Sequence, residues 1–304
     1  MILAAQDLLV HLQDHVWEGW QVRFGWMTVT LMSSAIATMI LTAGVLVAVI
    51  VPTARAQRGK LIPTGGCSVL EVLVLFIRDR IARPALGEKC YDFLPLLLTL
   101  FVFILGMNLS GFLHLDLVGQ GVAVALPWLR DHPIGLQPTV VPAICAGLAG
   151  VTFLTLVAAG LRASIRRAHR LLGWPIWLCA LLCPVLWVRS LVPPIPGITG
   201  VLLVFPLALL ELIGAVGKCF ALMIRLFANM LAGHAMVAAL LMFVLSAVES
   251  MIREGAADLV YVAPAAIIAS VLISLIELLV AGLQAYIFTF LSAIFLSLYA
   301  QPVH

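Results

Sequence analysis

Residues 203–245 read LVFPLALLELIGAVGKCFALMIRLFANMLAGHAMVAALLMFVL. The stretch is apolar enough to lie in a membrane, yet Arg225 stands near its middle. An arginine at the centre of a bilayer costs about 3 kcal/mol on insertion scales and roughly 10–17 kcal/mol in simulations of isolated helices. Packing alone does not account for such a cost. The stretch therefore predicts a membrane helix that carries a functional site.

The other polar residues of this stretch follow helical spacing. Lys218 lies seven residues before Arg225, Glu211 lies seven before Lys218, and Asn229 lies four after Arg225. At about 100° per residue, these four side chains fall on one face of a helix. His234, nine residues after Arg225, falls on the opposite face. We expect one helix to present a polar stripe on one side and a single histidine on the other.

Composition places the whole chain among polytopic membrane proteins. Of the 304 residues, 63% are hydrophobic and only 10% are charged. This composition would be exceptional for a soluble protein. The net charge of +3 is small and dispersed, so we expect a lipid bilayer and no nucleic acid as the chain's surroundings. The cysteines lack ligand spacing and are interpreted as small buried hydrophobic residues, with neither a metal nor a cofactor. They are Cys67, Cys90, Cys145, Cys179, Cys183 and Cys219.

Hydropathy predicts an all-α fold, a single membrane domain over residues 1–304 with about five transmembrane helices. Residues 1–26 form an external segment without a signal-peptide pattern, and the first three spans are predicted at 27–51, 93–112 and 140–161. Residues 67–84 carry charges opposite an apolar stripe, which favours an amphipathic helix at the interface. Residues 174–200 are short and broken by prolines, so they are interfacial or re-entrant, or else one further span.

Two long apolar segments, 203–245 and 259–299, follow. Each has about 40 residues, or roughly 60 Å of helix, which is about twice the thickness of the hydrocarbon layer. No loop-forming residues interrupt the first segment near Arg225. The two segments are therefore predicted to be strongly tilted helices that form an antiparallel hairpin.

The distribution of basic residues predicts the orientation. Residues 1–26 contain 1 lysine or arginine, residues 52–92 contain 7, residues 113–139 contain 1 and residues 162–173 contain 4. Basic loops stay in the cytoplasm. The N-terminus is therefore expected outside and the C-terminus in the cytoplasm; a further span within 174–200 would invert everything after it.

The second long segment carries Glu277 and Gln284 seven residues apart, and hence on one face. Residues at equal depth in an antiparallel hairpin have numbers with a constant sum. The sum for Arg225 with Gln284 agrees to within two residues with the sum for His234 with Glu277. Two polar pairs at matching depths favour a functional site over isolated packing residues.

Three stretches resemble subunit a of the rotary F-type ATP synthase, the membrane stator beside the c-ring. They are RLFANMLAGH at 225–234, ELLVAGLQAYIFTFLSAIFL at 277–296 and CYDFLPLLLTLFVFILGMNLSGFL at 90–113. The resemblance is good over about 70–113 and 200–300 and weak elsewhere. It implies a proton-translocating subunit of the bacterial inner membrane without a catalytic site of its own. The implied partners are the c-ring, the peripheral-stalk subunit b and the other subunits of the complex.

The resemblance also implies roles for matching residues. Arg225 would face the c-ring carboxylates with Gln284 beside it, and Asn229 would belong to the same set. His234 and Glu277 would line the outer proton half-channel. Further candidates, implied near the inner half-channel, are Glu211 and Lys218.

One part of the chain departs from the family pattern. Relatives often have a carboxylate shortly after the position of Asn108 and an asparagine at the start of the next span. Here Gly111 and the stretch QPTVVPAICAG (137–147) stand in those places. Asn108, His114 and Asp116 are the candidates for the outer entrance.

Two other functional classes are weighed against this one. An ion-coupled secondary transporter or channel would also place ionisable residues at mid-membrane, with Arg225 and Gln284, and His234 and Glu277, as its site. It should show internal repeats and broken helices, which the sequence lacks. An assembly or scaffold protein would explain the hydrophobicity but not the matched polar pairs.

Overall fold

The computed structural model describes residues 21–24, 27–30, 32–57, 65–112, 137–172, 198–254 and 259–300. The elements are, in chain order, β1 (Gln21–Phe24), β2 (Met27–Thr30), α1 (Ser34–Ala56), α2 (Gly66–Phe76), α3 (Arg83–Leu86), α4 (Cys90–Phe112), α5 (Pro142–Leu172), α6 (Ile198–Glu254) and α7 (Leu259–Ala300). A π-helical stretch at Ile77–Ala82 and 3₁₀ turns at Gly87–Lys89 and Pro138–Val140 complete them.

The predicted fold class, an all-α polytopic membrane protein, is confirmed. Within the described ranges, five helical stretches are long and apolar enough to cross a membrane. They are Ser34–Ala56, Gly66–Gly111, Pro142–Arg166, Phe205–Gly233 and Ile267–Leu298. The tilt of the last two helices and the interfacial position of residues 67–84 stay predictions.

The first helix begins later than the predicted span 27–51. Met27–Thr30 forms a strand that pairs with Gln21–Phe24 in an antiparallel hairpin, and the helix starts seven residues after the predicted start of the span at residue 27. Threonine and valine at 28–30 suit extended backbone better than helix. The helix begins at Ser34, where the Ser33 Oγ accepts a hydrogen bond from the Ile36 N–H at 3.4 Å, and such a cap satisfies an otherwise unpaired donor.

The stretch from α2 to α4 is one helical path with a single break. Residues 66–86 are helical, including six residues of π-helix. Gly87 then adopts a positive φ of 58°, a conformation that costs glycine little and other residues more. This glycine separates the charged residues 78–83 from the apolar helix α4 that follows.

The last two helices are longer than their apolar segments. α6 has 57 residues and α7 has 42, against predicted segments at 203–245 and 259–299. At about 1.5 Å per residue, α6 extends over roughly 85 Å and α7 over roughly 63 Å. Neither is broken at its polar residues, because alanine, leucine and methionine around them favour helix. Arg225 therefore lies in the interior of one continuous helix.

The described residues form two compact units. One unit contains α1, residues 100–112 of α4, residues 137–144, residues 225–254 of α6 and residues 259–286 of α7. Its apolar core includes Ile104, Met107, Leu226 and Met230, each at most 1% exposed. α4 approaches α1 closely at Gly106, where an added Cβ would lie 2.9 Å from the Leu46 Cδ1.

The other unit contains α2, α3, residues 90–99 of α4, residues 145–172 of α5, residues 198–224 of α6 and residues 287–300 of α7. Its fully buried apolar side chains include Ile77, Ile81, Leu156, Leu222 and Phe288. Burial of this kind stabilises by about 1.5–3 kcal/mol per large side chain in water. Inside a bilayer the same contacts stabilise mainly through close packing.

Some predicted segments lie outside the described residues. They are residues 1–20 of the external segment, the greater part of the loop 113–139, residues 174–197 of the proline-rich segment and the turn between α6 and α7. His114 and Asp116, both candidates for the outer entrance, fall in this part of the chain.

Candidate functional site

Arg225 is exposed on the surface of α6. Among the described residues it makes no hydrogen bond or ion pair. Large apolar side chains on the same helix are also exposed, among them Phe220 and Ile224. A charge that projects from an apolar surface at bilayer depth is costly unless an opposite charge meets it. Within the described ranges, Arg225 therefore stands without a counter-charge on an apolar helix surface.

Two amide side chains, Gln284 and Asn229, have a buried donor without a partner among the described residues. Gln284 is 4% exposed, and its Nε2 has no partner among the described residues. The Nδ2 of Asn229, one helical turn after Arg225, is likewise buried and unpartnered within the described ranges. An unpaired buried donor costs about 1–3 kcal/mol. Both amides are therefore expected to donate to water or to a partner.

The structure does not join Arg225 to Gln284 by a direct hydrogen bond within the described ranges. The arginine is exposed while the amide is buried. The predicted match in depth between them stays a prediction.

Glu277 lies against Gly233, and only 9% of it is exposed. A Cβ at position 233 would fall 2.8 Å from the Glu277 Oε1, closer than real side chains pack. Glycine at 233 therefore provides the space in which the carboxyl group lies. The sum of these two residue numbers falls between the sums of the two predicted polar pairs.

His234 follows Gly233 directly on α6. Its side chain lies outside the described residues, so the predicted contact between His234 and Glu277 stays a prediction. The neighbouring contact of Gly233 with Glu277 supports it.

Asn108 extends the polar region from α4 onto α7. It is fully buried, and its Nδ2 donates to the carbonyl oxygen of Ala281 at 3.3 Å. Ala281 lies four residues after Glu277 and three before Gln284, so all three share a face of α7. The Oδ1 of Asn108 has no partner among the described residues. The sequence predicted Asn108 as a candidate for the outer entrance, and the structure places it beside the stretch between Glu277 and Gln284.

Gln137 is a polar residue of this region that the sequence reading missed. It is 3% exposed, and its Nε2 lies 3.1 Å from the backbone oxygen of Asn108 and 3.3 Å from the Sδ of Met230. Thr139 nearby is fully buried. A neutral glutamine before a proline resembles an ordinary loop residue. The signal that could have identified it is a polar Gln-Pro-Thr run directly before an apolar span.

Glu211 and Lys218 form an ion pair on α6 with 3.4 Å between the Lys218 Nζ and the Glu211 Oε1. The Lys218 Nζ also lies 6.0 Å from the centre of the Phe295 ring, within the range of a cation–π contact. Both charged side chains are about one third exposed. The pair places a carboxylate and an ammonium group in the unit that contains residues 198–224.

Metal ligation is the remaining chemistry to consider. Within the described ranges, no group of three or more histidine, cysteine, aspartate or glutamate side chains is placed to hold a metal ion. Four cysteines in those ranges, Cys67, Cys90, Cys145 and Cys219, are free thiols.

The geometry offers titratable and hydrogen-bonding groups inside apolar helices. Glu277 can accept and release a proton, while Asn108, Gln137 and Gln284 can only donate and accept hydrogen bonds. Arg225 keeps its charge at any physiological pH. The described residues therefore combine one proton-exchanging group, several neutral hydrogen-bonding groups and a permanent positive charge.

The amino-acid sequence is similar to that of known proteins. A family model described as ATP synthase A chain matches residues 36–297. The chain is 33% identical to ATP synthase subunit a of Myxococcus xanthus over 268 residues, which cover 88% of this chain and 72% of the relative.

Two further relatives are similar. ATP synthase subunit a of Chloroherpeton thalassium is 34% identical over 236 residues, covering 78% of this chain and 56% of the relative. ATP synthase subunit a 2 of Chlorobaculum tepidum is 31% identical over 264 residues, covering 86% of this chain and 61% of the relative. The chain thus spans between about half and three quarters of the length of these relatives.

Proposed function

Because the chain belongs to the ATP synthase A chain family, we propose that it is the proton-translocating stator subunit of the membrane sector of an ATP synthase. It would have no catalytic site of its own. It would work against a c-ring, held by the peripheral-stalk subunit b and the other subunits, in the inner membrane of a bacterium.

The observation that carries the proposal is the exposure of Arg225 on an apolar helix surface. A c subunit that carries a carboxylate at the same depth supplies the missing negative charge. Exposed apolar side chains around the arginine would pack against the rotor helices. The ring would move past this apolar surface while its carboxylates meet Arg225 in turn.

The arginine sets the protonation state of the passing carboxylate. A carboxyl group facing lipid must be protonated, because a bare charge there is expensive. A guanidinium within about 4–6 Å favours the ionised form, so the proton leaves on one side of Arg225 and another is taken up on the other side. Because arginine does not release its own proton, it also prevents protons from passing straight between the two access paths.

Two separate access paths would serve the ring. Glu277, with His234, would belong to the outer path, and Glu211 and Lys218 would belong to the inner one. A proton that crosses between them through the ring gains about 2.3 kcal/mol per 100 mV of membrane potential. That free energy is available only if the ring turns.

Subunit composition separates this function from the alternatives. The chain should co-purify with a ring of small carboxylate-bearing subunits and with a catalytic ATPase. A secondary transporter or an ion channel would purify without them.

Cross-linking tests the proposed rotor surface. Ile224 is exposed and Leu222, two residues away on the same helix, is 1% exposed. A cysteine at 224 is expected to form a disulfide with a cysteine beside the carboxylate of a c subunit, since the two chains would approach to about 5–6 Å between Cα atoms. The control, Leu222→Cys, should remain uncross-linked. Equal cross-linking of both variants would contradict the assignment of this face.

Thiol labelling tests the orientation. Cysteines introduced at Arg55 and Arg166, both exposed in the structure, should react with a membrane-impermeant reagent only from the cytoplasmic side. Cysteines introduced in residues 1–20 or in the turn 255–258 should react from outside. Outside labelling at Arg166 would reverse the orientation and exchange the two access paths.

A further inference from the structure

The Gln137 side chain is buried and in close contact with residues of neighbouring segments. Its Nε2 is within hydrogen-bonding distance of the Asn108 backbone oxygen, at 3.1 Å, and of the Met230 Sδ, at 3.3 Å. It stands at the start of the 3₁₀ turn Pro138–Val140, where backbone hydrogen bonds from Val140 and Val141 close the turn. One amide thus links the segment before α5 with α4 and α6 within a single unit.

Gly111 provides the space for this amide. A Cβ at position 111 would lie 2.7 Å from the Gln137 Oε1 and 2.8 Å from its Cδ. Real Cβ atoms do not approach other atoms this closely, and both atoms belong to a buried side chain that has little room to move. Any side chain at 111 would therefore displace Gln137.

The turn of α4 that Gln137 holds is the one that carries Asn108. The Asn108 Nδ2 donates to the Ala281 carbonyl oxygen at 3.3 Å, so the amide lies on the face of α7 between Glu277 and Gln284. Its Oδ1 has no partner among the described residues, nor does the Gln284 Nε2. Two buried polar atoms without partners among the described residues, both next to this face of α7, are the kind of site that holds internal water.

Water is needed there because Glu277 and Gln284 are too far apart for a direct hydrogen bond. Glu277 and Gln284 are seven residues apart on α7, which corresponds to about 10 Å of helix rise. A proton transfer requires hydrogen-bond distances of about 2.6–3.2 Å. No titratable side chain lies between them on that face, since Ala281 is the residue at the intervening turn. Ordered water can connect the two positions.

We propose that Gln137 is a positioning residue of the outer proton path. It holds Asn108 so that the Asn108 Oδ1 accepts a hydrogen bond from a water molecule between Glu277 and Gln284. A proton released by the Glu277 carboxyl group then passes along this water to a ring carboxylate, and Glu277 takes up another proton from the outside. Gln137 itself never carries the proton. The inference rests on the function proposed above and assigns a role to a residue of its outer path.

The first test compares a small polar residue with an apolar residue of similar volume. Gln137→Ser leaves room for a water molecule that can donate to the Asn108 oxygen, while Gln137→Leu fills the volume and supplies no donor to that oxygen. Passive proton flow is measured in vesicles from which the catalytic head has been removed, and is normalised to the amount of assembled complex. We expect Leu to lower the flow about ten-fold and Ser by less than about three-fold.

The opposite order would overturn the proposal. If Gln137 only fills space, Leu should conduct better than Ser, because Ser leaves a cavity. Flow equal to that of the unaltered protein in both variants would also overturn it.

The second test measures the contact with Gly111. Gly111→Ala should lower proton flow about five-fold or more, or lower the amount of assembled complex, because its Cβ collides with Gln137. In a Gln137→Ala background the same change should cost less than about two-fold, since the collision is gone. Gly44→Ala is the matched control, a helical glycine whose added Cβ would meet nothing within 4 Å. If the effects of Gly111→Ala and Gln137→Ala are fully additive, the proposed contact between residues 111 and 137 is contradicted.

The two tests separate this inference from the proposed function. If Arg225→Ala vesicles couple proton flow to ATP synthesis normally, the stator function fails whatever the Gln137 variants do. If Arg225→Ala is inactive while Gln137→Leu conducts as well as Gln137→Ser, only the positioning role fails.

Discussion

Replacing Arg225 by alanine is expected to abolish both ATP-driven proton pumping and ATP synthesis while the complex still assembles. The side chain is exposed, so its removal leaves no cavity in the chain itself. In the proposed stator role, the ring carboxylate would lose the counter-charge that Arg225 supplies, a loss worth about 3–5 kcal/mol for a pair removed from water. That corresponds to at least about a hundred-fold loss of rate. Acidification of inverted membrane vesicles on addition of ATP is the measurement.

Lysine should not replace this arginine. A lysine beside a carboxylate in a poorly solvated site can give up its proton, which would remove the fixed charge and open a path between the two half-channels. Arg225→Lys is therefore also expected to fail. Arg162→Ala, which removes an exposed arginine from α5, is the control and should pump normally. Coupled synthesis at the normal rate in Arg225→Ala membranes would reject the stator role.

The second large effect is expected at Glu277 and His234. Glu277 lies against Gly233, where an added Cβ would fall 2.8 Å from its Oε1, and it is a buried carboxyl group on the α7 face that leads to Gln284. Glu277→Gln should lower proton flow at least about ten-fold, since general acid–base groups contribute about 10²–10⁴-fold to proton transfers. The direction of coupling should not change, because Arg225 is intact.

An exchange of the two residues tests whether they act as a pair. The double variant with His234→Glu and Glu277→His keeps both titratable groups at about the same depth. It should retain more ATP-driven acidification than either single change. Glu88→Gln, which alters an exposed carboxylate, should have no effect. A double variant no better than the worse single variant would mean that the residues act independently.

The sequence was sufficient to identify Arg225 and Gln284 as candidates. A charge or an amide in a long apolar run is visible without coordinates, because the cost of placing it in lipid is large. Glu277 was visible for the same reason. Helical periodicity then grouped these residues by face, since a membrane helix satisfies its own backbone and cannot deviate far from regular geometry.

Hydropathy was a poorer guide to where the first helix begins. Met27–Thr30 reads MTVT, with three β-branched residues and no charge, and both a strand and a membrane helix accept such residues. Only the pairing with Gln21–Phe24 and the cap at Ser33 place the start at Ser34. The predicted and observed starts differ because local hydrogen-bonding partners, not hydropathy, decide at which residue a helix begins.

The sequence by itself determined an all-α membrane protein whose last two helices are long, with an arginine inside the apolar stretch of the first of these two. The free energy of transfer into the membrane is set residue by residue, so composition and spacing are enough to predict these features. The tertiary structure alone decided that Gln137 belongs to the polar region and that Gly111 and Gly233 leave space for buried polar side chains. Those roles depend on contacts between segments far apart in the chain. From the sequence alone, a glutamine or a glycine can equally belong to a loop, a helix cap or a functional site. Packing distinguishes among these, because two buried side chains cannot occupy one volume.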